Sequence, residues 1–219
     1  KTFDNYLEVK ANISKNSKKI VLNKDDASYG KLKRLCRDSV SFSLKNNFLS
    51  EGVVGHLNRY FPGEYNLQNA LASATVARTL GVKIEHIEKG LMSIKRIEGR
   101  LEKVSNSRGI SIYIDFAHSP NALKNVLQLF KQSTKGRLIA VFGCAGERDK
   151  KKRPLMGEIS ARFADISVFT AEDPRSEIIE DIINQMVKGT RKVKDARIYQ
   201  IRDRGEAIFY AINNLAKKG

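Results

Sequence analysis

From about residue 110 onward, short apolar runs alternate regularly with segments of helical spacing, and this alternation limits the possible folds more than any other feature. Residues 110–115, 138–142, 166–170 and 197–201 read as strands, with helices at 120–133, 154–163, 176–188 and 203–217. A helix after each strand carries the chain back to the start of the next one. The expected result is a mainly parallel sheet covered on both faces, an α/β fold in three layers.

The first hundred residues follow a different grammar. Residues 4–13 read as a short helix, 19–23 as a strand, Asp25 and Asp26 as a turn, 29–36 as a helix and 39–44 as a strand. An alanine-rich helix over 66–80 is ended by Gly81, and a second helix covers 84–92. Residues 45–63 carry little periodic signal. The boundary between the two domains is placed near residue 101, giving 1–100 and 101–219.

Charge narrows the possible partners. The net charge is +16, from 40 basic and 24 acidic residues dispersed along 219 positions. Such a balance suits nucleotides, sugar phosphates, carboxylated substrates or nucleic acid. There is no tryptophan, and the seven tyrosines and ten phenylalanines do not interleave with basic residues as a base-stacking surface requires. That argues against nucleic acid. Two isolated cysteines, Cys36 and Cys144, form no metal-ligand spacing and no disulfide framework, so a reducing, cytoplasmic setting is expected. No apolar run approaches the ~20 residues that span a bilayer, so no membrane partner is expected.

The most informative stretch is Gly143-Cys-Ala-Gly-Glu-Arg-Asp-Lys-Lys-Lys-Arg-Pro154, between a strand and a helix. Two glycines at such a junction let backbone N–H groups approach an anion. Five cations follow, Arg148 and Lys150 to Arg153. The alternative is a solvated basic turn. Asp115-Phe-Ala-His118-Ser-Pro120 ends another strand. Asp115 is either an acceptor for ribose hydroxyls or a turn residue, and His118 is either a site residue or simply packed. Ser119 or Asn121 suits the cap of the next helix. Asn66 and Asn69 lie three apart on one helical face, where a carboxamide matches an adenine edge. Asn66 also fits an N-cap. In Glu172-Asp173-Pro174-Arg175-Ser176, Arg175 can fork onto a carboxylate and Ser176 can cap a helix, or the segment is an ordinary surface loop. Lys10 is unremarkable by pattern.

Taken in order, Asn5 to Lys10, Asn23 to Asp26, Gly63 to Ala70, Glu98 to Arg100, Asp115 to Pro120, the 143–154 run and Glu172 to Arg175 resemble the Mur ligases, most closely the MurE type. The resemblance implies part of the central ATPase domain over 1–100 and a Rossmann-like C-terminal domain over 101–219. It implies an ATP- and Mg2+-dependent amide ligase of peptidoglycan precursor synthesis. Such an enzyme joins a diamino acid, meso-diaminopimelate by this likeness, to UDP-MurNAc-L-Ala-D-Glu through an acyl-phosphate. By position, Lys10 matches a catalytic lysine that is carbamylated to bind magnesium. Asn66 and Asn69 match adenine contacts, Arg100 and Asp115 ribose and phosphate contacts, and His118 lies beside them. Arg148, Asp173 and Arg175 match residues holding the incoming diamino acid.

The chain also departs from the family. The Gly-rich phosphate loop and the UDP-sugar domain are absent from these residues, and the family's Asp-Asn-Pro-Arg reads Glu172-Asp173-Pro174-Arg175. The 219 residues are therefore expected to be inactive alone. The competing readings are a non-catalytic nucleotide- or nucleic-acid-binding module and a folylpolyglutamate- or cyanophycin-type ligase. The oligomeric state is not legible from the residues.

Overall fold

The structure, a computed structural model describing residues 2–218, divides into two compact units, 1–98 and 99–219. In the first unit, α1 (Phe3–Ala11) runs into a 3-10 turn (Asn12–Asn16). There follow β1 (Ile20–Asn23), α2 (Tyr29–Leu35), β2 (Ser39–Phe42), α3 (Glu51–Tyr60), α4 (Glu64–Thr79) and α5 (Ile84–Ser93). β1 and β2 pair in parallel, with Ile20 opposite Ser39. Leu71 and Ala74 of α4 are buried in a core shared with Phe42, Val53, Leu57, Phe61 and Ile87.

Helix α3 lies where the sequence shows little periodicity. Gly52 and Gly55 weaken its helical propensity, and its fully buried face is only Val53 and Leu57. That one i, i+4 pair docks it into the core, so packing overrides local preference.

The second unit begins with a hairpin, β3 (Glu102–Val104) antiparallel to β4 (Ile112–Ile114). Then come α6 (Pro120–Ser133), β5 (Ile139–Phe142), α7 (Lys152–Phe163), β6 (Ile166–Phe169), α8 (Ile179–Thr190), β7 (Ile198–Gln200) and α9 (Arg204–Tyr210), which continues as a π-turn through Leu215. β5, β6 and β7 form a parallel sheet in that order. The segment expected as a first parallel strand is instead the second strand of the hairpin. β3 is not among the strands that the sequence pattern predicts, and its Glu-Lys-Val shows no apolar alternation.

The layers follow from period-two burial. Ala140, Phe142 and Phe169 enter one core with Leu123 and Leu127 of α6, Met156 of α7 and Ile182, Ile183 and Met186 of α8. Ile166 and Val168 enter the opposite core with Ala207, Ala211 and Leu215, joined by Ile139 and Val141. Every residue of central β6 is buried. Each such side chain contributes roughly 1.5–3 kcal/mol. Ser167, the polar exception, shares a 2.6 Å hydrogen bond with Ser160 of α7.

Helix α6 starts where the sequence places it. The Ser119 hydroxyl accepts the Ala122 N–H at 3.3 Å and Pro120 occupies the first turn. Helix α8 starts later than its pattern suggests, at Ile179, and Ser176 is not its cap. Arg175 has a left-handed φ of 51°, which stops the helix from extending backwards through it.

Candidate functional site

In the second unit, the loops leaving the carboxyl ends of β5 and β6 are laced together, and they carry Arg148, Asp173 and Arg175. Gly143 and Gly146 make the lacing possible. A Cβ on Gly143 would sit 2.4 Å from the Thr170 carbonyl oxygen, and one on Gly146 1.9 Å from that of Pro174. The Gly146 N–H donates to the Asp173 carbonyl at 2.7 Å. These glycines are therefore required for close approach of two protein loops. The Gly146 N–H is thus taken by Asp173 rather than left for an anion.

The cation run is also put to a different use. Arg153 is fully buried and forks onto Glu177, with Nη1–Oε2 at 2.9 Å and Nη2–Oε1 at 3.0 Å. Its remaining donors reach the Ala145 carbonyl at 3.1 Å and Gln185 Oε1 at 3.1 Å, while Nε has no partner. Lys150 Nζ lies 3.1 Å from Glu177 Oε2. Lys152 Nζ donates to the His118 carbonyl at 2.7 Å, tying the β4–α6 loop to the start of α7. Three of the five cations are thus bound internally. Arg148 is exposed and makes no side-chain hydrogen bond or ion pair with any described residue.

Glu177 links the two loops. Its Oε1 also accepts the Glu147 N–H at 2.6 Å. The Glu147 carboxylate in turn accepts the Ser176 hydroxyl at 2.5 Å and stands 3.9 Å from Arg175 Nη1. The Arg153 guanidinium, then the Glu147 N–H and Lys150, hold the Glu177 carboxyl well below the usual carboxylate range. Glu147 and Arg175 both have left-handed backbone, with φ of 53° and 51°. Such conformations persist in non-glycine residues only where the surroundings over-determine them. Asp173 is exposed, its Oδ2 3.5 Å from Arg175 Nε, and Glu172 beside it is exposed.

Asp115 and Arg100 come together at the start of this unit. Asp115 Oδ2 accepts the Leu101 N–H and Oδ1 the Ala117 N–H, both at 2.9 Å. Asp115 therefore builds its turn and pins the 99–101 segment, where Gly99 and Leu101 are left-handed at φ 63° and 48°. The exposed Arg100 guanidinium lies 5.1 Å from the Phe116 ring centroid. His118 is exposed rather than packed, its Nδ1 3.1 Å from the Phe116 carbonyl.

In the first unit, Asn66 is the third residue of α4, whose cap is Gly63. The Asn66 amide donates to the Pro62 carbonyl at 3.0 Å, so the N-cap reading is corrected. Asn69 is exposed on the same helix. Lys10 is exposed, with Nζ 5.6 Å from the Tyr6 ring centroid. Asp25 accepts the Ser43 hydroxyl and the Leu44 N–H, each at 2.6 Å, and the Ser43 bond foremost lowers its pKa. Among the described residues, no three His, Cys, Asp or Glu side chains gather where a metal could bind. A carbamate on Lys10 could not fill an octahedral magnesium shell by itself. The described residues do not form a magnesium cage.

Sequence reading missed Arg153, Glu177 and Gln185. Their partners are 24 and 32 residues away along the chain, and nothing local separates Arg153 from the three lysines before it.

Residues 99–219 match the Mur ligase, glutamate ligase domain. Over its whole length, the chain is 37% identical to UDP-N-acetylmuramoyl-L-alanyl-D-glutamate--2,6-diaminopimelate ligase 1 of Clostridium acetobutylicum, covering 49% of it. It is 36% identical to the corresponding ligase of Clostridium tetani, again over the whole chain and 48% of the relative. Among solved structures, a UDP-N-acetylmuramoyl-L-alanyl-D-glutamate--2,6-diaminopimelate ligase superposes with a TM-score of 0.52 at 25% identity, covering 100% of this chain and 50% of that one. MurF from Acinetobacter baumannii gives 0.67 at 16% identity over 96% of this chain and 49% of that one, a likeness of fold alone. The chain spans about half the length of these curated relatives. No described helix is long and apolar enough to cross a membrane. With its C-terminal unit matched from end to end, the chain belongs to the Mur ligase family.

Proposed function

We propose that this chain supplies the amino-acid-accepting part of an ATP-dependent ligase that adds a diamino acid to UDP-MurNAc-L-Ala-D-Glu. The observation that carries this reading is the 37% and 36% identity, over the whole of this chain and about half of each relative, to two ligases named for joining 2,6-diaminopimelate to that substrate. The laced β5 and β6 loops support it, because they present Arg148 and Arg175 from rigid backbone.

In the proposed reaction, a substrate carboxylate oxygen attacks the γ-phosphorus of ATP, and the bond to ADP breaks. The amine of the diamino acid then attacks the acyl carbon. Phosphate leaves with its electron pair, and the ammonium proton passes to solvent. Such chemistry depends on positioning and on neutralising charge. In this reading Arg148 and Arg175 bind a carboxylate of the incoming amino acid. Arg148 is free to do so, having no side-chain partner among the described residues. Asp173 accepts from its ammonium. Arg100, Asp115 and His118 face the nucleotide ribose and phosphates, Asn66 and Asn69 the adenine. Lys10, if carbamylated, would supply one oxygen donor to magnesium. Residues 1–100 are proposed to belong to the central ATP-binding domain and 101–219 to the C-terminal domain. A nucleic-acid-binding module is the weaker reading, since three cations of the basic run are already engaged.

Two measurements test the proposal. Calorimetric titration of the 219-residue chain with meso-diaminopimelate should show binding that L-lysine does not match, and no binding would sink the reading. Mixed with UDP-MurNAc-L-Ala-D-Glu, ATP, Mg2+ and meso-diaminopimelate, the same chain should release no phosphate, because these residues contain no Gly-rich phosphate loop. Turnover would overturn that division of labour.

A further inference from the structure

The Arg153–Glu177 pair sits beneath the two loops that carry the exposed arginines, and neither residue has a role in the proposed reaction. Arg153 is the largest fully buried side chain in the protein as described. A buried arginine is costly unless its charge and donors are met. Here the carboxylate meeting it comes from the other loop, and that carboxylate also holds the Glu147 N–H. Arg148 is the next residue after Glu147, and Arg175 lies two before Glu177. One ion pair therefore fixes the backbone from which both arginines project, on the β5 side through Glu147 and on the β6 side through Glu177 itself. The Ser176 to Glu147 hydrogen bond closes the ring. Left-handed φ values at Glu147 and Arg175 show what the clamp holds in place, since a free loop would relax both.

We propose that Arg153 and Glu177 are positioning residues that set the spacing of Arg148 and Arg175, and with it the affinity for the carboxylate of the incoming amino acid. The inference rests on the reading of Arg148 and Arg175 given above. A neutral amide at 177 would put an N–H against an Arg153 donor and break the fork, while keeping the side-chain volume. The Glu158 carboxylate provides a control. It pairs with Arg162 at 2.8 Å and Lys192 at 2.9 Å, away from both loops.

The test compares Glu177→Gln with Glu158→Gln in the 219-residue chain, by residue-resolved amide hydrogen exchange and by calorimetric titration with meso-diaminopimelate. In Glu177→Gln, the amides of residues 146–148 and 175–177 should exchange faster while those of β6 keep their protection. Its affinity should fall on the order of 10–100-fold, the loss of about one charge-assisted hydrogen bond to the ligand. Glu158→Gln should change neither. Unchanged exchange at the loops, or faster exchange throughout the second unit, overturns the proposal, as does unchanged affinity in Glu177→Gln. If the unsubstituted chain binds no diamino acid, the functional reading fails, and the exchange pattern alone then decides whether the pair positions the loops. Should Glu177→Gln fail to fold, Arg153→Lys, which keeps the charge but loses the fork, is read in the same way.

Discussion

Gly157 of α7 lies so close to Met186 of α8 that a Cβ added to it would sit 2.0 Å from the Met186 carbonyl oxygen. Gly189 of α8 repeats the relationship in reverse, 1.8 Å from the Pro154 carbonyl oxygen. The two helices meet backbone to backbone, and this depth of packing brings Arg153 against Gln185. Gly157→Ala should therefore destabilise the protein despite alanine's better helical propensity. Overpacking of this kind costs about 1–3 kcal/mol, a loss of several degrees in Tm at roughly 2–4 °C per kcal/mol. A thermal melt at or above the parent Tm would contradict the packing.

Arg148→Ala and Arg153→Leu should separate binding from stability. Arg148 has no side-chain partner among the described residues, so its removal should change stability by no more than about 0.5 kcal/mol while weakening diamino-acid binding. Arg153→Leu strands Glu177 and should cost roughly 3 kcal/mol or more. Urea denaturation and calorimetric titration on the same two samples check both halves.

Acid should unfold the protein partly through Glu177. Its folded pKa is depressed from the ordinary 4.5, so it contributes stability above that value and loses it as pH falls toward its folded pKa. Glu177→Gln should start less stable at pH 7 and lose less between pH 5 and pH 2. Asp25 and Glu158, also depressed, keep some acid sensitivity in the variant. Urea midpoints measured at three pH values give the slopes, and equal slopes for the two proteins would remove Glu177 from the explanation.

Cys144 should be chemically silent in the folded protein. Burial pushes its thiol up from 9.0 to about 11, and Sγ rests 3.7 Å from Met156 Sδ. The thiolate is the reactive form, so iodoacetamide at pH 8 should label Cys144 only after denaturation. The folded state keeps this proton while the unfolded chain loses it. The thiol's contribution to stability is thus intact below pH 9 and fades as pH rises toward 11. Rapid labelling of the native protein would show that the loop after β5 opens.

The α/β class of the second unit was legible because burial has a period. Ile139 and Val141 face one core, Ala140 and Phe142 the other, and such alternation is written in consecutive residues. The cap of α6 was legible for the same reason, Ser119 and Pro120 being neighbours. Helix α3 was not, since two glycines mask a helix that exists because Val53 and Leu57 find a core. The hairpin pairing of residues 112–114 was hidden because a strand does not announce its partner.

Local sequence thus determined the order of the elements other than α3 and β3, the family likeness and the positions of the exposed arginines. Tertiary structure alone decided which charges are free. Arg148 and Arg153 look alike in a basic run, yet one is exposed with no side-chain partner among the described residues and the other is buried on a carboxylate 24 residues away. The physical reason is that a charge's role depends on its desolvation and its partner, and both are set by how closely Gly143, Gly146, Gly157 and Gly189 let separate segments approach.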